Sequence, residues 1–341
     1  MLPYTDLILR MDHHNAQEAH YLTYDLTKKN VPSKDFQQLT DSSNVYRFKM
    51  LSDPAAFNEQ LPFYVIKPLY TGLAYLFYKL GVSLPQATLI PSFVSYLLIG
   101  LLLFHWLRIY LSLPIAFVTS LLIMVSSPLI EVAKLSTPDC LSTFLLLASF
   151  YFIIENPSLW LAIVFMVLSV FARLDNIVTC LLILGIISLS RKWYKEISIK
   201  NFSLMTILFV FSYFLIGLIA HQYGWSIFFY NNFAEHLHPM YGSTEHFSVK
   251  SYFRLMYEHV MSGINHSYFA IFMALLFLNF NERVALKKLS FDKLFLLFTP
   301  VILFTRFILY PDISDRFYIA FYLIIIVLLI RNFSLRSRLD N

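Results

Sequence analysis

Charge is scarce in this chain: Lys, Arg, Asp and Glu together make up 14% of its 341 residues, too few to cover the surface of a water-soluble globule of that size. Glycine is sparser still, with eight residues, and neither a Gly-rich phosphate loop nor a Gly-x-Ser-x-Gly elbow occurs. Nucleotide-driven chemistry in a soluble domain therefore has no sequence support. The two cysteines, Cys140 and Cys180, each stand near the start of an apolar run and suggest neither a disulfide framework nor a thiolate metal site. The first ten residues, MLPYTDLILR, are too short and too polar for a cleavable signal peptide.

Hydrophobic residues, by contrast, make up 58% of the chain, and the mean hydropathy is +0.62. They come in runs of roughly 14 to 20 residues, the length that crosses ~30 Å of hydrocarbon as a helix. Continuous runs of this kind favour helices over a β-barrel, whose strands alternate apolar and polar residues. Candidate spans fall at 87–106, 114–130, 138–154, 158–173, 176–190, 202–221, 265–280, 291–310 and 317–332. The expected fold is all-α, a polytopic membrane bundle of about nine crossing helices without a separate soluble domain. Residues 1–61 form a polar segment, and 62–86 hold an interfacial helix at 62–80 that is rich in tyrosine and carries Lys67, Pro68 and Lys79. The bundle occupies 87–341 and includes a long loop at 222–264. The net charge of +5 fits cationic loops facing an anionic leaflet and needs no nucleic acid.

Short loops rich in Lys and Arg tend to stay in the cytoplasm. Three qualify: 190–201 with Arg191, Lys192, Lys195 and Lys200; 281–293 with Arg283, Lys287, Lys288 and Lys293; and the tail with Arg331, Arg336 and Arg338. Even numbers of spans separate them, so all three share one side and the C-terminus is cytoplasmic. Loops 107–113 and 155–157 join them inside. Loops 131–139, 173–176, 222–264 and 311–316 lie outside with residues 1–61. A polar segment delivered outside needs a preceding helix, so a further span is expected upstream of Met1.

The outer side collects the unusual polar residues, among them Asp12, Asp25, Glu131, Lys134, Asp139, Arg173, Asp175, His236, His238, Arg306, Asp312 and Arg316. Ionisable groups beside hydrocarbon are costly unless paired or set in a wet cavity, so their gathering suggests a site. Asp139 follows Pro138 at a helix head, where a carboxylate also serves as a cap. Arg173 and Asp175 also fit a simple mutual pair. His13-His14 and His236-x-His238 lack the spacing of a zinc site. No metal site is assigned, and no cofactor, although a divalent cation stays open.

Four stretches together resemble the GT-C glycosyltransferases, polytopic enzymes that take sugar from a polyprenyl-phosphate carrier. They are RMDHHNAQEAHYLTYDL at 10–26, KPLYTGLAYLFYKLGVSLPQATLIPSFVSYLL at 67–98, SSPLIEVAKLSTPDCLSTFLLLASFYFI at 126–153, and FARLDNI at 171–177. The first looks like the family's first outer loop, the second like its Lys-Pro-Pro-Leu interfacial helix, the third like its Ser-Pro and Pro-Asp helix boundary. The likeness covers about the first 190 residues. It departs from the family where Asp12 is followed by His13 rather than an acid, and where Leu69 replaces the second proline.

The resemblance implies an inverting transferase on the outer face of the cell membrane. A polyprenyl-phosphate-linked sugar is its donor partner and a glycan, lipid or protein its acceptor, within a bed of membrane lipids. Such a reaction needs a base for the acceptor and cations for the departing phosphate. Asp12 is the implied base, with Asp25 and Asp139 as further candidates. Lys67 matches the family's Lys-Pro lysine and would bind the phosphate with Lys134, Arg173, Arg306 or Arg316. The long loop would meet the acceptor through His236, His238 and Tyr241. The rival readings are another enzyme of lipid-linked glycans, of polymerase or ligase type, and a transporter or flippase.

Overall fold

A computed structural model describes residues 1–155, 158–189, 198–221, 223–233, 248–263, 268 and 291–339. All regular structure among the described residues is helical. The expected polar segment is folded: α1 (Leu2–Met11), α2 (Ala16–Asn30), α3 (Ser33–Leu39), α4 (Val45–Ser52) and α5 (Pro54–Gln60). Asn15, Asn44 and Asp53 cap α2, α4 and α5 by accepting from backbone amides inside the first turn. Leu2, Tyr24, Met50, Ala56, Phe57 and Leu61 give this segment its own small core. Helix α1 packs on α2, α7 and α8, burying Tyr4, Ile8 and Leu9.

The expected interfacial helix is two helices, α6 (Pro62–Val65) and α7 (Pro68–Lys79). Proline disfavours the helical region for the residue before it, and Lys67 indeed leaves it, with φ −124° and ψ 56°. The break frees Lys67 from the helix surface.

The bundle follows as α8 (Leu84–Leu107), α9 (Leu113–Met124), α10 (Ser127–Ala133), α11 (Asp139–Ile154), α12 (Leu159–Ala172), α13 (Asn176–Leu189) and α14 (Ile199–Ala220). Then come α15 (Trp225–Phe233), α16 (Val249–Gly263), α17 (Phe291–Leu309), a 3-10 turn at Asp315–Phe317 and α18 (Ile319–Leu339). Central α11 is buried along most of its length and packs on α8, α12 and α18. By contrast, α8, α9 and α14 expose rows of Leu, Ile, Val and Phe to the surroundings. An apolar belt of that extent belongs in lipid rather than water.

Two helices, α8 and α14, are long and apolar enough to cross a membrane, and α9 with α10 forms a third candidate bent by 64°. The expected continuous span 114–130 is thus broken at Val125–Ser126, just before Ser127 and Pro128. Helices α11, α12 and α13 occupy their expected places but have 16, 14 and 14 residues, and 14 residues reach only ~21 Å at 1.5 Å each. Helix α17 matches 291–310 and carries Asp292, Lys293 and Arg306. Of the expected span 265–280 only residue 268 is described. The count of nine crossings is therefore not a property of the described helices.

Groups from loops assigned to one side do meet at one end of the bundle. Glu155 at the end of α11 accepts from Tyr110 and, at 3.1 Å, from Trp106. Arg331 reaches the Tyr110 hydroxyl at 3.0 Å and Asp292 at 2.7 Å, and lies 3.6 Å from Glu155. One cation here faces two carboxylates and every one of these side chains has a partner, so the cluster works as a lock between α8, α11, α17 and α18. Replacing Arg331 with Met leaves two carboxylates facing each other, and should destabilise the fold by about 3 kcal/mol, the lower end for a buried pair because Arg331 is partly exposed. Thermal unfolding checks this.

Candidate functional site

At the other end of α11 the balance is reversed. Pro138 precedes the helix and Asp139 is its first residue, as the Pro-Asp pair predicts. Tyr70 of α7 donates to the Thr88 carbonyl at 2.5 Å and meets Ser92 at 3.2 Å, while Ser92 donates to the Thr137 carbonyl at 2.9 Å. These bonds fix α7, α8 and the start of α11 together. Thr137 donates to one Asp139 oxygen at 2.8 Å, and Arg173 binds the other.

Arg173 stands in the break between α12 and α13, its backbone extended. Its guanidinium also grips Asp175 with two bonds, of 3.1 and 2.9 Å. Arg306 of α17 binds the same Asp175 at 2.5 Å and reaches Asn176 at 3.4 Å. Asn176 donates in turn to Ser142 at 2.7 Å and to the Ser169 carbonyl at 2.9 Å, tying α11, α12 and α17 to the head of α13. Burial alone would raise the Asp175 pKa, but Arg173 and Arg306 outweigh it and hold the carboxyl well below the usual range.

Two further cations border this network without an ion-pair partner among the described residues. Partly buried Lys67 places Nζ 4.9 Å from the centroid of the Tyr64 ring. Burial, then the neighbouring Arg173 and Arg316, push its ammonium down to about 8 despite the pull of Asp139 and Asp175. Arg316 lies 4.5 Å from the Phe317 ring centre, and Arg173 lies 4.7 Å from the same ring. Asp312 lies close enough to act on Tyr310 and Tyr318 together with Arg173 and Asp175, so the cluster holds four cations against three carboxylates. Tyr4 adds a buried hydroxyl with no hydrogen-bond partner among the described residues, its ring edge-on to Tyr64 and Tyr70.

A cavity of about 410 Å³ adjoins the cluster, lined by Asn44, Tyr46, Arg47, Gln60, Phe63, Tyr64, Asn231 and Asn232. Tyr64 is the same ring that carries Lys67. On the opposite flank Tyr310 donates to Asn232 at 3.4 Å and packs edge-on against Phe317, 5.3 Å away. Gln60 and Asn231 exchange amide bonds of 3.0 and 3.1 Å and join α5 to α15. The lining is amide, phenol and aromatic, with one cation and no carboxylate.

Of the residues singled out in the sequence, Lys67, Asp139, Arg173, Arg306 and Arg316 come together. Asp12 does not. It closes α1 and pairs with Lys79 at 2.5 Å and Tyr75 at 3.2 Å. The Lys79 hydrogen bond outweighs partial burial and keeps its carboxyl below the ordinary value. Lys79 ends the helix that Lys67 begins, ~18 Å away along α7 at 1.5 Å per residue. Asp25 forms a surface pair with Lys29 at 2.6 Å, and Lys134 is exposed at the end of α10. His236, His238 and Tyr241 lie outside the described residues. No group of three or more His, Cys, Asp or Glu side chains suited to a metal ion occurs among the described residues. Asn176, Tyr4 and the Gln60–Asn231 pair gave no signal in the sequence. Asp175 did, as Arg173's neighbour. No family model matches this chain, and no curated protein or solved structure matches it either.

Proposed function

We propose that this chain is a membrane glycosyltransferase of the GT-C kind, which moves a sugar from a polyprenyl-phosphate carrier to an acceptor hydroxyl or amine on the outer face of the membrane. The observation that carries this reading is the surplus of cations at Lys67, Arg173, Arg306 and Arg316 beside a polar cavity lined by amides, aromatic rings and Arg47. A surplus that costs desolvation is sustained where an anion completes it. Arginine forks and a lysine point charge suit a phosphate, and amides with aromatic faces suit a sugar ring. The Arg331 cluster at the opposite end pairs one cation with two carboxylates and offers no such attraction. In this reading about nine spans cross the bilayer, the Arg331 end faces the cytoplasm and the Lys67 end faces outward.

Lys67 and Arg316 take the carrier phosphate, and Arg173 and Arg306 form the wall that their carboxylates hold in shape. Asp175 is the base of this reading in place of Asp12, because its side chain is 38% exposed within the cluster. A phosphate that draws on Arg173 and Arg306 weakens their hold on Asp175 and raises its proton affinity when the acceptor needs a base. Displacement on the face opposite the phosphate inverts the anomeric centre.

The test uses the full chain in nanodiscs with polyprenyl phosphate and with the corresponding uncharged polyprenol. Retention of the phosphate and not of the alcohol is expected, and equal retention of the two overturns the reading. Asp12→Asn changes only a partly exposed pair, so affinity for polyprenyl phosphate should stay within about twofold of wild type. Loss of binding in that variant would move the phosphate site to the Lys79 end of α7.

A further inference from the structure

Helix α16 has 15 residues and carries Lys250, Arg254, Glu258 and His259. At 1.5 Å per residue it reaches only ~22 Å, short of a bilayer core. Its apolar residues Val249, Phe253, Tyr257 and Met261 recur every fourth position, and so form one stripe. They are exposed by 62%, 57%, 66% and 54%. The other side of the helix is pinned to the protein. Tyr252 is buried, lies 5.1 Å from the Phe229 ring and 6.0 Å from Trp225, and donates its hydroxyl to the Ile308 carbonyl. Lys250, Arg254 and Glu258 run beside the stripe, with Arg254 and Glu258 3.8 Å apart.

The place of the stripe identifies what covers it. Helix α17 exposes Val301, Phe304 and Ile308 along its length and ends at Leu309. Tyr252 anchors α16 at Ile308, and the half-exposed Trp225 donates its indole N–H to the Leu309 carbonyl at 2.9 Å. The stripe on α16 therefore begins where the outward apolar face of α17 stops, at a level marked by tryptophan and tyrosine. Those two residues concentrate at the membrane–water boundary. A short helix with one apolar face and charges alongside lies in that boundary plane.

We infer that α16 is an interfacial helix whose Val249–Phe253–Tyr257–Met261 stripe is sunk among the acyl chains of the nearer leaflet, with Lys250 and Arg254 at headgroup level. This rests on the membrane part of the proposed function and not on the transferase chemistry. Helix α16 then lies on the bilayer surface beside the cation cluster.

Single cysteines at Phe253→Cys, Tyr257→Cys, Lys250→Cys and Glu258→Cys, labelled with a small fluorophore in proteoliposomes of phosphatidylethanolamine and phosphatidylglycerol, test it. Native Cys140 and Cys180 are fully buried, and the unsubstituted protein measures any background labelling. Labels at 253 and 257 should be quenched by lipids bearing a nitroxide on the upper acyl chain at least about threefold more than labels at 250 and 258, with the reverse order for aqueous iodide. Equal iodide quenching at all four positions overturns the inference, and so does shielding of 253 and 257 from both quenchers, as a second copy would cause. Leu101→Cys on α8, 65% exposed in the apolar belt, is the control. Lipid quenching there without quenching at 257 removes this inference alone, whereas none at either position removes the membrane reading as well.

Discussion

Arg173→Met should destabilise the protein by about 3–5 kcal/mol, the cost of leaving a buried carboxylate without its cation, and Asp139→Asn in the same chain should recover most of that loss. The reason lies in how unevenly the two carboxylates depend on Arg173. Asp175 keeps Arg306 at 2.5 Å when Arg173 is removed. Asp139 keeps only the Thr137 hydroxyl, and it is nearly fully buried at the head of α11. A neutral amide at 139 can still accept from Thr137 and no longer needs a counter-charge. Phosphate binding should not recover with the fold. The double variant lacks one guanidinium of the cluster, and charge-assisted hydrogen bonds of ~1.5–3 kcal/mol each correspond to roughly a 10- to 100-fold loss of affinity. Thermal unfolding in detergent and polyprenyl phosphate binding in nanodiscs separate the two effects. Recovery of both would make Arg173 a structural counter-ion only.

The same pair shows which parts of this site were legible in the sequence. Pro138-Asp139 and Lys67-Pro68 are local signals: proline dictates where a helix starts and what the residue before it does, and both residues stand where those rules put them. Glu155, Asp292 and Arg331, from loops assigned to one side, do meet at one end. Hydropathy runs located α11, α12 and α13 but not the bend between α9 and α10, because an apolar run reads the same straight or broken. The links that build the site join residues far apart in sequence: Arg173 with Asp139, Arg306 with Asn176, Gln60 with Asn231. Packing decides these, and a single sequence carries no record of it. Asp12, the base implied by the resemblance, stands apart from that cluster: the length of α7 separates it from Lys67, and Lys79 is its partner.

Lys67 gives the sharpest pH signature. Its pKa lies near 8 in the native protein, against an ordinary 10.5. Below pH 8 both native and unfolded chains hold the proton, and the cost of a charged amine among Arg173 and Arg316 is fully present. Between about 8 and 10.5 the unfolded chain holds a proton that the native one has released, so stability rises with pH across that window. Lys67→Met removes the charge altogether. It should melt at or above the wild-type temperature at pH 7, and the gap should narrow steadily above pH 8 and close only past about pH 10.5, where the unfolded wild-type chain sheds the same charge. Binding should run the other way. A phosphate favours the charged amine, so wild-type affinity for polyprenyl phosphate should fall as pH climbs past 8, and Lys67→Met should already be about tenfold weaker at pH 7. Lys67→Arg stays protonated throughout, so its binding should lack the decline above pH 8. A decline that persists in Lys67→Arg would assign the titration to another group and remove Lys67 from the phosphate site.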